Sequence, residues 1–238
     1  MVYSAALRLG MRAVAARTGA DATSVLLAAY SAAVARVFGR DPSLALLAVS
    51  NRFRPGLADM VSQVAQHGIC VVDVAGATFD EVVARAQKAT TSASFYAYYD
   101  PVACDRLLDE TAARRGQPLD VYWWINDMRV VGSVDGGDGG DGGGGVPTEA
   151  ELARARPRST LHWSPEKPDS HGTLFFFVDS RPERIDGQAP ADGMPGTFMK
   201  VWADTRHFAR DQVEALVREM EAVVVAAAFD PRVVASRG

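Results

Sequence analysis

Apolar residues in this chain alternate between helical stripes and short unbroken runs. Residues 4–18 place Leu7, Leu9, Met11, Val14 and Ala15 on one helical face, which ends at Gly19. Residues 22–38 form a second, strongly apolar helix, with Gly39 as its C-cap and Asp41-Pro42 as a stop. Thr78 and Glu81 have the three-residue spacing of a capping box and open a helix over 78–94. An aromatic patch follows (Phe95, Tyr96, Tyr98, Tyr99), then a shorter helix near 102–114. The last helix, 209–228, keeps Val213, Leu216, Val217, Met220 and Val224 on one face. Between these lie strands at 44–49, 68–74, 121–126, 159–163, 173–179 and 197–203, and Arg54-Pro55-Gly56 reads as a turn. Amphipathic helices and apolar strands each need one face covered, so the pattern predicts a two-layer α/β sandwich. Its mixed sheet carries helices 22–38, 78–94 and 209–228 on one side.

One segment breaks the pattern. Residues 136–145 are nearly all glycine with two aspartates, a composition that buries no apolar surface and does not offset chain entropy. Recognisable strands resume beyond it. It therefore reads as a flexible Gly/Asp surface loop, at 134–147, inside a single domain spanning 1–238.

Composition narrows the function classes. The net charge of −4 and the absence of a basic run give no footprint for nucleic acid. No stretch reaches about 18 uninterrupted apolar residues, so no membrane span is expected. Arg8, Arg12 and Arg17, with no acid in the first twenty residues, belong to the polar face of the first helix rather than to a transit peptide. Cys70 and Cys104 lack paired spacing, which points to a reducing cytoplasm and no zinc site. The four histidines (67, 162, 171 and 207) have no metal-ligand spacing either.

Nucleophile arrangements fare no better. Cys70 sits in the apolar run Ile69-Cys70-Val71-Val72, where a thiolate is disfavoured, so pairing it with His67 as a cysteine hydrolase is not the reading taken. Ser159, His162 and Asp179 have the residue types of a triad, but no Gly-x-Ser-x-Gly elbow accompanies the serine. The glycine loop lacks the lysine and the strand–helix flanks of a phosphate loop.

The stretch from Val25 to Val74 resembles the middle of a nonribosomal peptide synthetase condensation domain. It retains Leu26, Leu27, Ala28, Ala29, Arg36, Gly39, Arg52, Arg54, Pro55, Leu57 and Asp73 of that family's pattern. Phe208 to Asp230-Pro231 resembles the family's ending, so the likeness spans roughly 1–231 as the C-terminal half of a full condensation domain. The family's catalytic His-His-x-x-x-Asp-Gly motif does not occur here, and its His-Gln-Asp-x-Pro-Phe-Glu motif is reduced to Tyr98-Tyr99-Asp100-Pro101. The resemblance implies one lobe of a chloramphenicol acetyltransferase-like fold, in which two lobes enclose a tunnel entered by carrier-borne pantetheine arms. Segments after residue 130 would supply the floor loop and the latch.

That likeness also implies site residues. No residue of this chain is expected to be catalytic, no metal is expected, and no cofactor is bound. The phosphopantetheine arm of a peptidyl or acyl carrier protein brings the substrate. Tunnel-lining positions are Asn51, Arg52, Arg54, Gln66, His67, Trp124 and Asn126. Gln66 and His67 can donate to a thioester or pantetheine carbonyl, or serve structure at the entry to a strand. Arg52 and Arg54 offer forks for a carboxylate or phosphate, or else pair with acids such as Asp59. The strand Tyr122-Trp123-Trp124-Ile125-Asn126 is either core or a stacking platform. The partner is an N-terminal condensation lobe or a second copy of the chain, with Trp123, Trp124, Trp163 and Trp202 marking the face it covers. A noncatalytic module that recruits a carrier protein or tailoring enzyme is the alternative, and an unrelated α/β hydrolase is remote.

Overall fold

The computed structural model of the chain describes residues 1–121, 123–129, 145–164, 172–181 and 193–236. Most of the Gly/Asp loop (134–144), Tyr122 and His171 lie outside the described residues. The strands are β1 (Val2–Ser4), β2 (Ser43–Val49), β3 (Gln66–Val72), β4 (Trp123–Asp127), β5 (Thr160–Leu161), β6 (Leu174–Asp179) and β7 (Thr197–Ala203). The helices are α1 (Ala5–Thr18), α2 (Ala22–Phe38), α3 (Phe79–Tyr96), α4 (Pro101–Arg115), α5 (Glu149–Ala155) and α6 (Arg210–Ala227). The seven strands among the described residues join one sheet in the order β3-β2-β4-β6-β7-β1-β5. β4 runs parallel to both β2 and β6, and every other pairing is antiparallel. The sheet is therefore mixed, and strands from both sides of the glycine-rich segment interleave in it.

The capping chemistry read from the sequence is present. Thr78 and Glu81 cap α3 reciprocally, and Gly39 ends α2 in the left-handed conformation at φ 63°. Three elements had no usable pattern. β1 is three residues long, α5 is a single pair of turns opened by a Thr148/Glu151 capping box, and Arg156–Arg158 form one 3-10 turn.

Alternation along the strands sends Ala45, Leu47, Cys70, Ile125, Phe176 and Met199 to one face, where they share a core with α1, α2, α3 and α6. Helix α2 lies at its centre, with residues 24–34 all buried, which accounts for its lack of a polar stripe. Among the described residues, no single helix is long and apolar enough to cross a membrane. α1 and α2 taken together reach the length and composition, but they are bent by 112° and pack into this core.

Charged anchors fix the layer's edges. Arg17 donates to the Ala227 and Ala228 carbonyls at the end of α6 and pairs with Asp80 at 2.6 Å. Arg36 pairs with Glu219 and donates to the Val234 and Ala235 carbonyls, holding the C-terminal segment against α2. Cations at a helix C-terminus satisfy its free carbonyls and complement the helix dipole.

Helix α3 lies so close on β3 that a Cβ built at Gly68 would fall 2.6 Å from both Cβ and O of Ala93. Glycine is needed here for the close approach of helix to strand. Gly68→Ala is therefore expected to destabilise the fold by about 1–3 kcal/mol, the usual cost of overpacking. Urea unfolding measures this, and an unchanged midpoint would mean that α3 sits more loosely on the sheet than the structure has it.

Candidate functional site

The second sheet face takes the residues that alternate with the core positions. Register places Ala48 opposite His67, Leu46 opposite Ile69 and Trp124, Trp124 opposite Phe175, and Phe175 opposite Trp202. The helices of the main core gather on the other side. Ile69 and Val71 are 46% and 52% exposed, whereas His67, Trp124, Asn126, Phe175, Phe177 and Trp202 are half-buried. At the β1 and β7 end the same face is covered, and Tyr3 and Phe198 pack there with Leu152 and Ala155 of α5.

Aromatic rings dominate the uncovered part. Trp124 stacks on Phe175 at 5.8 Å, Phe175 lies 4.3 Å from Phe177, and Trp202 meets Phe177 edge-on at 5.2 Å. The His67 ring contacts Trp124 edge-on at 4.1 Å. Burial pushes the His67 imidazole below its ordinary pKa, which favours the neutral ring at pH 7. A depressed histidine binds fewer protons folded than unfolded, so its contribution to stability is full above the ordinary value near 6.5 and falls away below it.

The expected site residues divide between two places. His67, Trp124 and Asn126 meet on the sheet face. Asn51, Arg52, Arg54 and Gln66 instead organise the loop between β2 and β3 and the end of α3. Asn51 is fully buried at φ 58°, a conformation that asparagine tolerates, and its amide donates to the Val64 and Ala97 carbonyls. Arg52 donates to the carbonyls of Leu57, Ala58, Met60 and Ser62. Arg54 donates to Asn51 Oδ1 and to the Ser94 and Phe95 carbonyls at the end of α3, with its guanidinium over Phe53 and Tyr98. Backbone oxygens, rather than Asp59, take both arginines. Gln66 forms a reciprocal pair with the Tyr99 backbone, and Tyr99 Oη donates to the His67 carbonyl.

Of the four tryptophans expected on one face, Trp123 is in the helix-side core. It packs against Phe38 and Phe208 and donates to Asp120. It alternates with Trp124, so the two cannot share a face. Trp163 is exposed beneath the Arg210 guanidinium. Only Trp124 and Trp202 mark the aromatic face.

Other candidate chemistry is accounted for by structure. Cys70 is buried and its thiol is pushed up to about 12, so it is no nucleophile at neutral pH. Ser159 Oγ donates to the Glu221 carboxylate, 3.2 Å from Ser4 Oγ, rather than to a histidine. No cluster of three metal-ligating residues occurs among the described residues.

Two features had no signal in the sequence. Leu174–Val178 is apolar throughout, so periodicity alone could not assign Phe175 and Phe177 to a face. Asp127 and Arg129 form an ion pair with both side chains under 7% exposed, and Thr23 Oγ1 donates to the same carboxylate. Their two-residue spacing carries no helical or cross-strand signature.

No protein-family model matches the chain, and no curated protein does. Solved structures do match. The first condensation domain of the calcium-dependent antibiotic synthetase superposes with a TM-score of 0.60 at 12% identity, over 99% of this chain and 44% of that one. The PapA2 acyl transferase gives 0.61 at 13%, over 96% and 44%. The X-domain from teicoplanin biosynthesis gives 0.61 at 17%, over 98% and 47%, and it has also been solved in complex with OxyB. The chain spans less than half the length of the structures it matches, and its fold is that of about half a condensation domain.

Proposed function

We propose that the chain works as the C-terminal lobe of a condensation-type acyltransferase, one that forms amide bonds between carrier-bound substrates in nonribosomal peptide biosynthesis. The observation that carries this reading is the half-domain fold together with its aromatic face, which no described helix covers outside the end where α5 packs. A second lobe laid over that face encloses a passage, and Trp124, His67 and Asn126 form part of its wall. Phosphopantetheine arms of peptidyl or acyl carrier proteins deliver the two substrates into it. The base that handles the acceptor amine comes from the partner's His-His-x-x-x-Asp-Gly motif, because the sequence here has no adjacent histidines. This chain contributes positioning and the exclusion of water. Its two unpaired cysteines fit work in the reducing cytoplasm.

Reconstitution tests the reading. The purified chain alone is expected to form no amide from an acyl-carrier thioester and an amine. With an N-terminal lobe bearing the motif, turnover should rise by about 10²–10⁴, the usual worth of a positioned base. Turnover by the chain alone, abolished by His67→Ala, would overturn the proposal.

A second reading has specific support. Phe53, Phe95, Tyr96 and Tyr98 are all more than half exposed beside α4, a helix with no fully buried residue. Exposed aromatic patches of this kind serve docking. A noncatalytic module that recruits a carrier protein or tailoring enzyme would bind such a partner and give no product with any N-terminal lobe.

A further inference from the structure

Strand β3 ends the sheet order, so its outer edge meets no described strand. Consecutive residues of a strand turn their N–H and C=O groups to opposite edges. The even-numbered residues take the inner edge. The Val72 carbonyl lies 3.5 Å from Ser43 Oγ of β2, and the Val74 N–H donates to Asp41 just before β2. The odd-numbered residues therefore face outward. Two of their carbonyls are already taken, His67 by Tyr99 Oη and Asp73 by the Arg85 guanidinium, each at 3.0 Å. Between these two stops, the N–H and C=O groups of Ile69 and Val71 have no partner among the described residues. Proteins guard such edges with charge, proline or a bulge. Gln66–Val72 contains no Asp, Glu, Lys, Arg or Pro, and its register with β2 is unbroken.

The surroundings of this edge select its occupant. Alternating donors and acceptors are matched by another extended backbone. Helix α3 sits directly on β3, with Ala93 against Gly68. A second copy brought edge to edge would set its own α3 about 5 Å away, whereas two packed helices need about 8–10 Å. A bare strand needs no such room. On the aromatic face its side chains would stand beside Ile69 and Val71, which calls for apolar residues suited to a sheet. On the opposite face they meet the flank of α3. Arg85 reaches the edge from there, and Lys88 follows one turn later on the same side, both exposed. Acidic residues complement that flank.

We propose that the outer edge of β3 binds an extended peptide segment of a partner protein by antiparallel strand addition, a segment in which apolar residues alternate with acidic ones. This goes beyond the pairing of lobes and does not depend on it.

The peptide acetyl-Thr-Val-Glu-Val-Glu-Val-Thr-amide tests it, titrated into the full chain with amide exchange read by NMR. Protection should appear at the Ile69 and Val71 N–H groups as the peptide binds. In the antiparallel pairing the peptide's valines stand opposite these residues and carry the bonded N–H groups. N-methylating the three valines should therefore weaken binding at least about tenfold, the worth of one or two net hydrogen bonds. Val71→Pro removes one outward donor at an edge position, where proline is tolerated, and should cost about as much. Val71→Thr keeps that donor and should stay within about twofold. If Val71→Pro does not fold, the N-methylated peptide reads the same bonds on the unaltered chain. Replacing both glutamates of the peptide by lysine should weaken binding about fivefold at low salt. Absence of binding at about 1 mM peptide overturns the proposal. So does binding that N-methylation leaves unchanged, or a lysine peptide that binds as well as the glutamate one. Protection of the same amides that rises with protein concentration alone would assign the edge to a second copy, and overturns it too. The pairing of lobes is read separately, by sedimentation, and stands or falls on that.

Discussion

Arg129→Met is expected to destabilise the chain by about 3–5 kcal/mol, the cost of leaving one member of a buried ion pair without its partner. Asp127 and Arg129 meet at 2.7 Å at the end of β4. Arg129 also donates to the Ala22 carbonyl, so the pair ties the sheet to the start of α2. Burial pushes the Asp127 carboxyl upward, and the Arg129 charge, its hydrogen bonds and that of Thr23 more than offset this, holding it below the ordinary carboxylate value. The sign follows. A carboxyl depressed in the folded state contributes stability that is full above its unfolded pKa and is lost as pH falls through the folded one. Without the Arg129 charge, only the hydrogen bonds from Thr23 and from the backbone N–H of residue 129 oppose the burial penalty, and acid then relieves the strain by protonating Asp127. The stability gap between wild type and Arg129→Met should therefore be widest near neutrality and shrink below about pH 4. Urea unfolding across that range measures it. Asp127→Leu combined with Arg129→Met should recover much of the loss, since a buried pair exchanged for apolar groups of similar volume is often neutral. A single-variant loss under about 1 kcal/mol would show that water reaches the pair.

Much of the fold was legible because its signals are local. The Gly39 C-cap, the Thr78/Glu81 box and the stripe Val213–Val224 each depend on spacing within one or two turns, and each falls where expected. β1 and α5 were not legible. Three residues make no periodic pattern, and α5 buries only Leu152 and Ala155. The site was legible only in part, for the same reason. His67, Trp124 and Asn126 come together through cross-strand register, which the chain alone does not display. Arg52 and Arg54 look like ligand forks in sequence, because nothing local shows that carbonyl oxygens many residues away take their hydrogens. Trp123 and Trp124 look equivalent until the strand sends them to opposite faces.

Pairing through the aromatic face is the claim on which the proposed function depends. Ile69 and Val71 are large apolar side chains at the edge strand, about half exposed, and they continue the surface of Trp124 and Phe175. An apolar surface of that kind beside an edge strand that no described strand pairs favours a partner. Because both side chains are exposed, replacing them by aspartate removes no core contact and adds charge where a partner would bury them. Sedimentation velocity of the purified chain at micromolar concentration, alone and with an N-terminal condensation lobe bearing His-His-x-x-x-Asp-Gly, reads this directly. The expected result is a complex of fixed stoichiometry, with that lobe or with a second copy, abolished by Ile69→Asp with Val71→Asp. A chain that stays monomeric in both experiments would contradict the account.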